Sequence, residues 1–384
     1  MHKRDVLLDV SRLIWRLWRG GLPTGIDRVC LEYLDHYRSR SRAVVQRRGW
    51  QFILTENASD RLFDLLTRGP VSFRRGFVTL ALTAFATARR LPAEQGLLYL
   101  NVGHTSLDDP SLGPWIADTN VRAVFLIHDL IPILHPEFCR PGEQARHERR
   151  LYNALRFASG IIANSTATLL DMQAFGAARH LPMPPSTVAW IAAPPIPERV
   201  KAKRFDRPHF VVVGTIEGRK NHELLLKIWK RMAETGGPVP LLVIVGQRGW
   251  EAESATAMLD GATELRANVL ELGRCRDEDL TAIIAGARAL LMPSFAEGFG
   301  LPVVEALELG TPVIASDLPV FREIVGDIPT YLDSSDASVW EDAIRSFLTD
   351  YPDRRRQLDR MPAYQAPDWT THFKIVDSWI ETLP

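Results

Sequence analysis

A chain of 384 residues is long enough for two domains with substantial cores, and a composition 46% hydrophobic and 24% charged argues against disorder. Three scattered cysteines, Cys30, Cys139 and Cys275, argue against a disulfide framework and a zinc site, and fit a reducing cytoplasm. The net charge of zero hides an asymmetry, because residues 1–200 carry 25 Lys+Arg against 18 Asp+Glu while the remainder carries 21 against 28.

In chain order, MHKRDVLLDVSRLIWRLWRGG has charges at both ends of a very short apolar piece, so it is not expected to be a cleaved signal. DVLLDV supplies a first strand. SRLIWRLWRGG (11–21) offers Trp15, Trp18, Arg16 and Arg19 either to a membrane or glycan, or to core packing with snorkelling arginines. GGLPTGIDRV (20–29) is a glycine-rich loop entering a helix with apolar positions Val29, Leu31, Tyr33 and Leu34. Gly25 there would let the backbone approach a phosphate or a sugar, although the loop lacks the GxGxxG spacing. RAVVQR, GLLYLNV, VRAVFLIHD and GIIANS read as further strands, and FVTLALTAFATA (77–88) is too short to span a bilayer. VFLI delivers His128 and Asp129 to the C-terminal end of its strand, where polar groups face a cleft more readily than a core. NST at 164–166 matches a glycosylation acceptor but is discounted, because the cysteine usage points to the cytoplasm.

APPIPERVKAKRFDRP (193–208), rich in proline and charge, reads as a linker between a domain at 1–197 and another at 206–366. Beyond it HFVVVG, PLLVIVG, NVLELG, ARALLMPS and TPVIASD alternate with helical patterns, as in the first half. The fold class is therefore α/β, with two Rossmann-like, doubly wound parallel sheets and a ligand cleft expected at the C-terminal edges of their strands.

VVVGTIEGRKNHELLLKIW (211–229) places Arg219 and Lys220 at such an edge, with Asn221 as a candidate helix cap. Adjacent cations there can neutralise a departing diphosphate. EGFGLPVVE (297–305) sets Gly298 and Gly300 at a helix entry, Pro302 in its first turn, and Gly310 past its end. Exposed amides and the positive end of the helix dipole suit a diphosphate, and Glu297 and Glu305 could both accept from sugar hydroxyls. A structural alternative makes Glu297 a cap and Glu305 a partner of the dipole. Asp277-Glu278-Asp279 reads as a helix entry rather than a metal-binding D-x-D, and there is no GxSxG elbow or HExxH helix.

Together these segments resemble the family-4 retaining glycosyltransferases of the GT-B fold. The resemblance runs through TGIDRV, HDLIP, ANSTAT, VVVGTIEGRKN, LELGRCRDEDL, PSFAEGFGLPVVEALELGTPVIASD and FREIVGD, and Glu297 and Glu305 satisfy the family's E-x7-E spacing. It implies that Glu297 holds donor-sugar hydroxyls and Glu305 the ribose or the sugar-phosphate side. Arg219 and Lys220 would neutralise the diphosphate, assisted by the loop at Gly298, Phe299, Gly300 and Leu301. Gly25 would approach the phosphates from the other domain, His128 would lie beside the transferred sugar, and the backbone near Cys275 would read the nucleobase. Glu297, His128 and Lys220 become the candidate catalytic residues. Many family members carry a basic residue directly after the glycine of the VVVG-type strand; here Gly214 is followed by Thr215, which shifts weight onto Lys220. The closing segment 367–384 resembles the family's terminal helix, which crosses back to the first domain.

The implied reaction moves a hexose from a nucleoside diphosphate sugar to an acceptor hydroxyl with retention, without a metal or other cofactor and without nucleic acid. GTIEGRKN looks most like bacterial mannosyl-type enzymes, which points to GDP-mannose and a lipid-linked glycan or polysaccharide acceptor. A UDP-sugar donor, or a non-catalytic sugar-nucleotide-binding subunit, are the competing readings. A cytoplasmic protein is expected, its basic half either balancing the charge of the acidic half or held against anionic lipid, as a peripheral contact, or against an anionic acceptor.

Overall fold

Short β-branched runs buried on both faces, separated by amphipathic helices, assemble into two sheets in the computed structural model, which describes residues 4–21, 24–68, 70–87, 96–197, 199–349 and 351–384. The first sheet contains β1 (Val6–Asp9), β2 (Ser41–Arg47), β3 (Trp50–Ile53), β4 (Leu98–Asn101), β5 (Arg122–Ile127), β6 (Gly160–Ala163) and β7 (Ser186–Val188) in the order β3-β2-β1-β4-β5-β6-β7. The second contains β8 (His209–Val213), β9 (Leu241–Val245), β10 (Val269–Leu272), β11 (Leu290–Met292), β12 (Val313–Ser316) and β13 (Thr330–Leu332) in the order β10-β9-β8-β11-β12-β13. Every pairing is parallel except β2 with β3. That hairpin turns on Arg48 and Gly49, both at positive φ, as a two-residue turn matched to strand twist requires.

The chain divides into two compact units: Met1–Leu130 with Ala145–Ile191 and Trp369–Pro384, and Ile131–Gln144 with Ala192–Asp368. Residues 131–144, placed by sequence in the first domain, group instead with the second. The expected linker also lies within the second unit, where the Lys203 amide donates to the Ala282 carbonyl at 2.7 Å. The second unit's core surrounds Trp229, Phe210, Trp340 and Phe347, all fully buried.

In the first unit the helix Trp369–Ile380 docks on the helix Gly25–Tyr37 through aromatic and polar contacts. The Phe373 ring stacks on His36 at 3.8 Å, and the Tyr37 hydroxyl donates to Asp377. His372 Nδ1 donates to the Trp190 carbonyl at 3.0 Å, so its Nε2 accepts from the Tyr33 hydroxyl at 2.9 Å. Among the described residues no helix is long and apolar enough to cross a membrane. The stretch from Phe77 falls within the helix Pro70–Thr87, and the last residue of the 77–88 run lies outside the described residues, as do residues 1–3.

Candidate functional site

The second unit's site is built where β8 and β11 end. β8 stops at Val213, and Gly214 follows at φ +135, a conformation that side chains resist. A Cβ on Gly214 would sit 3.1 Å from Lys220 Cε, so the glycine also makes room for the lysine to lie back across it. The chain then makes a 3-10 turn, Gly218–Lys220, before the helix His222–Thr235. Asn221 occupies the cap position at φ 53, but its side chain does not cap the helix; Nδ2 donates instead to the Ser334 carbonyl at 3.0 Å.

From β11 the chain runs through Ser294 to Gly300, at φ +94, and enters the helix Leu301–Glu308 with Pro302 in its first turn. A Cβ on Gly300 would meet the Phe321 ring at 2.4 Å. Gly310, at φ +70, follows the helix end as its position in the sequence suggested. The two loops are tied together: the Phe295 amide donates to the Arg219 carbonyl at 2.8 Å, and Arg219 Nη1 donates to the Ala296 carbonyl at 2.9 Å.

This framework packs four charges into one cluster. Glu297 Oε1 lies 2.6 Å from Lys220 Nζ and accepts from the Ser294 hydroxyl at 2.7 Å, while Oε2 accepts from Arg219 Nη1 at 2.9 Å. Arg219 Nε in turn contacts Glu217 Oε1 at 2.6 Å. The side chains of Glu297, Lys220 and Glu217 are 6%, 8% and 4% exposed, so little water screens the pairs. Burial alone would raise the Glu297 carboxyl, but Lys220, Arg219 and the Ser294 hydroxyl outweigh it and hold the group at about 2. Glu217 is shifted up, because burial exceeds the pull of Arg219 and Lys220. Burial likewise lowers Lys220, against the attraction of Glu297.

Of the residues singled out by sequence, the structure brings Gly214, Arg219, Lys220 and Glu297 together. Phe299 is buried, whereas Thr215, Cys275, Gly298, Leu301 and Glu305 are half-buried on the flanking loops and the first turn of the helix. Burial, with Asp279 and Asp277 nearby, pushes the Cys275 thiol up and away from reactivity. Two functional candidates escaped the sequence reading, Glu217 and Ser294. The first stands inside GTIEGRKN and looks like an ordinary loop acid until Arg219 folds against it. Asp277, Glu278 and Asp279 form the first turn of the helix Asp277–Gly286, as read from the sequence.

In the first unit, Gly25 is the first residue of its helix, behind a Thr24 cap. Asp27 closes that cap, accepting from the Thr24 amide and hydroxyl, each at 2.7 Å, and it is buried against Arg12 Nε at 2.7 Å and Arg16 Nε at 3.3 Å. Arg16, a candidate for a surface role, is thus drawn inward; Leu22 and Pro23 of the loop lie outside the described residues. Trp15 is similarly engaged, with the Arg47 guanidinium 5.3 Å from its ring, while Trp18 stays 37% exposed and edge-on to Phe77. His128 Nε2 donates to the Val102 carbonyl at 2.8 Å, which fixes the tautomer and leaves Nδ1 as an acceptor. Burial pushes this imidazole down to about 4, so it is neutral at physiological pH. Asn164 of the NST triplet is buried, with Nδ2 donating to the His128 carbonyl at 2.8 Å, which closes it to glycosylation in the folded chain.

Residues 197–361 match the family described as glycosyl transferases group 1. The chain is 29% identical over 278 residues to the serotype-specific mannosyltransferase WbdA of Escherichia coli, an alignment covering 68% of this chain and 33% of WbdA. It is 30% identical over 238 residues to the O-antigen chain mannosyltransferase B of Escherichia coli, covering 60% of this chain and 62% of that one. The alignments thus span about a third of the first relative and under two thirds of the second. Among solved structures, the Anabaena protein Alr3699/HepE in complex with UDP and glucose superposes with a TM-score of 0.68 at 18% identity, covering 99% of this chain and 100% of that one. Sucrose-phosphate synthase from Thermosynechococcus elongatus gives 0.62 at 15%, covering 99% of each. These likenesses establish the GT-B fold and bear out the resemblance to family-4 glycosyltransferases.

Proposed function

We propose that this chain, whose residues 197–361 carry a group 1 glycosyl transferase domain, moves a hexose, with mannose from GDP-mannose as the favoured donor, to a lipid-linked or polysaccharide acceptor in bacterial surface-glycan synthesis. The observation that carries this reading is the buried cluster of Glu297, Lys220 and Arg219 at a helix entry. Breaking a glycosidic C–O bond to a diphosphate builds negative charge on the leaving oxygen, and two fixed cations at that point stabilise it where water is scarce. The Lys220 ammonium has three donors, of which Glu297 engages one, so it can hold Glu297 and a phosphoryl oxygen together. Glu297, kept ionised, accepts from sugar hydroxyls and orients the ring. In this reading Gly214, Thr215, Cys275, Gly298, Phe299, Gly300, Leu301 and Glu305 of the second unit surround the nucleotide sugar, while Gly25 and the Nδ1 acceptor of His128 are the first unit's own candidates for ligand contact. The reaction retains anomeric configuration, with the departing diphosphate met by protein cations and no metal assigned to the step.

The choice of mannose is supported by the relatives named as mannosyltransferases, and a surface-glycan acceptor by the O-antigen enzyme among them. A UDP-sugar donor is the second reading, favoured by the solved fold relative that holds UDP and glucose. The place of action is proposed to be the cytoplasmic face of the membrane, with peripheral contact through the basic first half. Thermal-shift titration separates the donors: GDP is expected to raise Tm more than UDP at equal concentration, and the reverse order removes GDP-mannose. Glu297→Ala is expected to lower turnover at least a hundredfold, and full turnover in that variant would reject both the donor contact and the catalytic reading.

A further inference from the structure

Beside the charged cluster, and wholly within the second unit, lies a cavity of about 540 Å³ between the N-terminal end of the helix His222–Thr235 and the loops at Glu137–Phe138, Glu251–Ala255 and Ser334–Ser335. Glu217 lines it, so it shares one residue with the cluster; Arg219, Lys220 and Glu297 are not among the described residues of its wall. The size is typical of a ligand site.

Its chemistry is unusual for a phosphate or nucleotide pocket. Glu137, Glu217, Glu223, Glu251 and Glu253 face one amine, Lys227, which Glu223 already holds at 2.6 Å. That surplus of carboxylates disfavours an anion, while the helix N-terminus disfavours a compact cation. One wall is apolar and fixed: Phe138 and Phe295 stack at 5.1 Å and within 5° of parallel, and the Trp250 indole donates to the Phe138 carbonyl at 3.1 Å. Carboxylate acceptors, serine hydroxyls and a flat aromatic face together match an uncharged polyol with an apolar ring face.

His222 adds an independent sign of a missing partner. It lines the cavity, it is 2% exposed, and neither ring nitrogen has a hydrogen-bond partner among the described residues. A buried imidazole left in this state costs stability. Burial, with Lys220 and Arg219 close by, pushes it down to about 3, so it is neutral, with one donor and one acceptor. A sugar hydroxyl, able to give and to accept, satisfies either nitrogen once the ring turns toward the cavity.

We propose that this cavity is a saccharide-binding site that holds an uncharged stretch of glycan next to the reaction centre, through Glu217, His222 and the Phe138–Phe295 wall. In taking that saccharide to be the glycan the reaction extends, the inference rests on the proposed function. Glu217 lines the cavity and contacts Arg219, which in turn contacts Glu297, so a glycan held there would adjoin the cluster assigned to the donor.

The test is hydrogen-exchange mass spectrometry of the full chain, without donor, titrated with mannotriose. Peptides covering 217–227 and 251–255 are expected to gain saturable protection. Ser254→Trp, an exposed wall position filled by a large ring, is expected to weaken that protection at least tenfold while GDP still raises Tm. His222→Phe is expected to weaken it similarly without lowering Tm, because the substitution removes the orphaned nitrogens. Absence of protection, protection indifferent to both substitutions, or stronger protection of the same peptides by spermidine or inorganic phosphate would overturn the proposal. Saccharide protection with no effect of GDP or UDP on Tm would instead overturn the donor assignment and leave the cavity's role standing.

Discussion

At the scale of single residues, the cluster around Glu297 behaves as one unit, and its members should not be interchangeable. Removing Lys220 leaves a buried carboxylate with Arg219 as its remaining cation, and breaking a buried pair from one side typically costs about 3–5 kcal/mol. Lys220→Met is therefore expected to lose about 3 kcal/mol, towards the low end because Arg219 remains, as well as most turnover; urea unfolding and a turnover assay check both. The pH dependence has a definite sign. The folded carboxyl titrates at about 2, below its unfolded value of 4.5, so its stabilisation is present above 4.5 and is lost as pH falls from 4.5 through 2. In Lys220→Met the folded carboxyl titrates higher, so that loss is expected to be smaller and to end at higher pH. The acid pair and the basic pair were legible in EGFGLPVVE and GRKN because their types and spacing carry the chemistry. What the sequence could not convey is that the acid and the bases touch one another, since residues 220 and 297 meet only after β8 and β11 have paired.

At the scale of elements, the ten strands read from β-branched runs are all present; β10 is half-buried throughout, while the other nine are largely buried and leave a continuous apolar signature. The three that were not anticipated lack it. β7 and β13 are three residues long and half-buried, and β3 begins with an exposed Trp50 and lies at the antiparallel edge. The Arg48-Gly49 turn before β3 was readable in principle, but arginine is not a residue that usually announces positive φ. The C-terminal helix was placed in the first unit by resemblance alone, and its docking chemistry explains why it belongs there. His372 links the Trp190 carbonyl, its own helix and the Tyr33 hydroxyl of the helix that begins at Gly25. His372→Leu leaves both partners without their bond in a buried setting, at an expected cost of about 2 kcal/mol. Hydrogen exchange should then accelerate across residues 25–37 as well as 369–380, with the strands of the second unit unchanged. Acceleration confined to 369–380 would show that the bracing of the Gly25 helix is weaker than the contacts imply.

At the scale of the whole molecule, the balanced net charge says little about acid stability, whereas the buried histidines say a great deal. His104, His128, His209, His222 and His372 are all lowered, chiefly by burial, with His128 and His372 at about 4 and His222 at about 3. His128, His222 and His372 stay mostly neutral in the folded chain above about 4, while their unfolded counterparts take up a proton below 6.5, so the unfolded state binds more protons throughout that window. Stability must then rise with pH between about 4 and 6.5, in contrast to Glu297, whose contribution changes only below 4.5. By pH 5 each fully neutral histidine favours unfolding by about 2 kcal/mol, and several together rival the net stability of an ordinary domain. The urea midpoint is therefore expected to fall steeply from pH 7 to pH 5, before most carboxylates titrate, and His222→Phe is expected to make that fall shallower. A midpoint that stays level down to pH 5 would mean that these imidazoles reach water or protonated partners in the folded chain, and the neutral roles assigned to His128 and His222 would have to be withdrawn together.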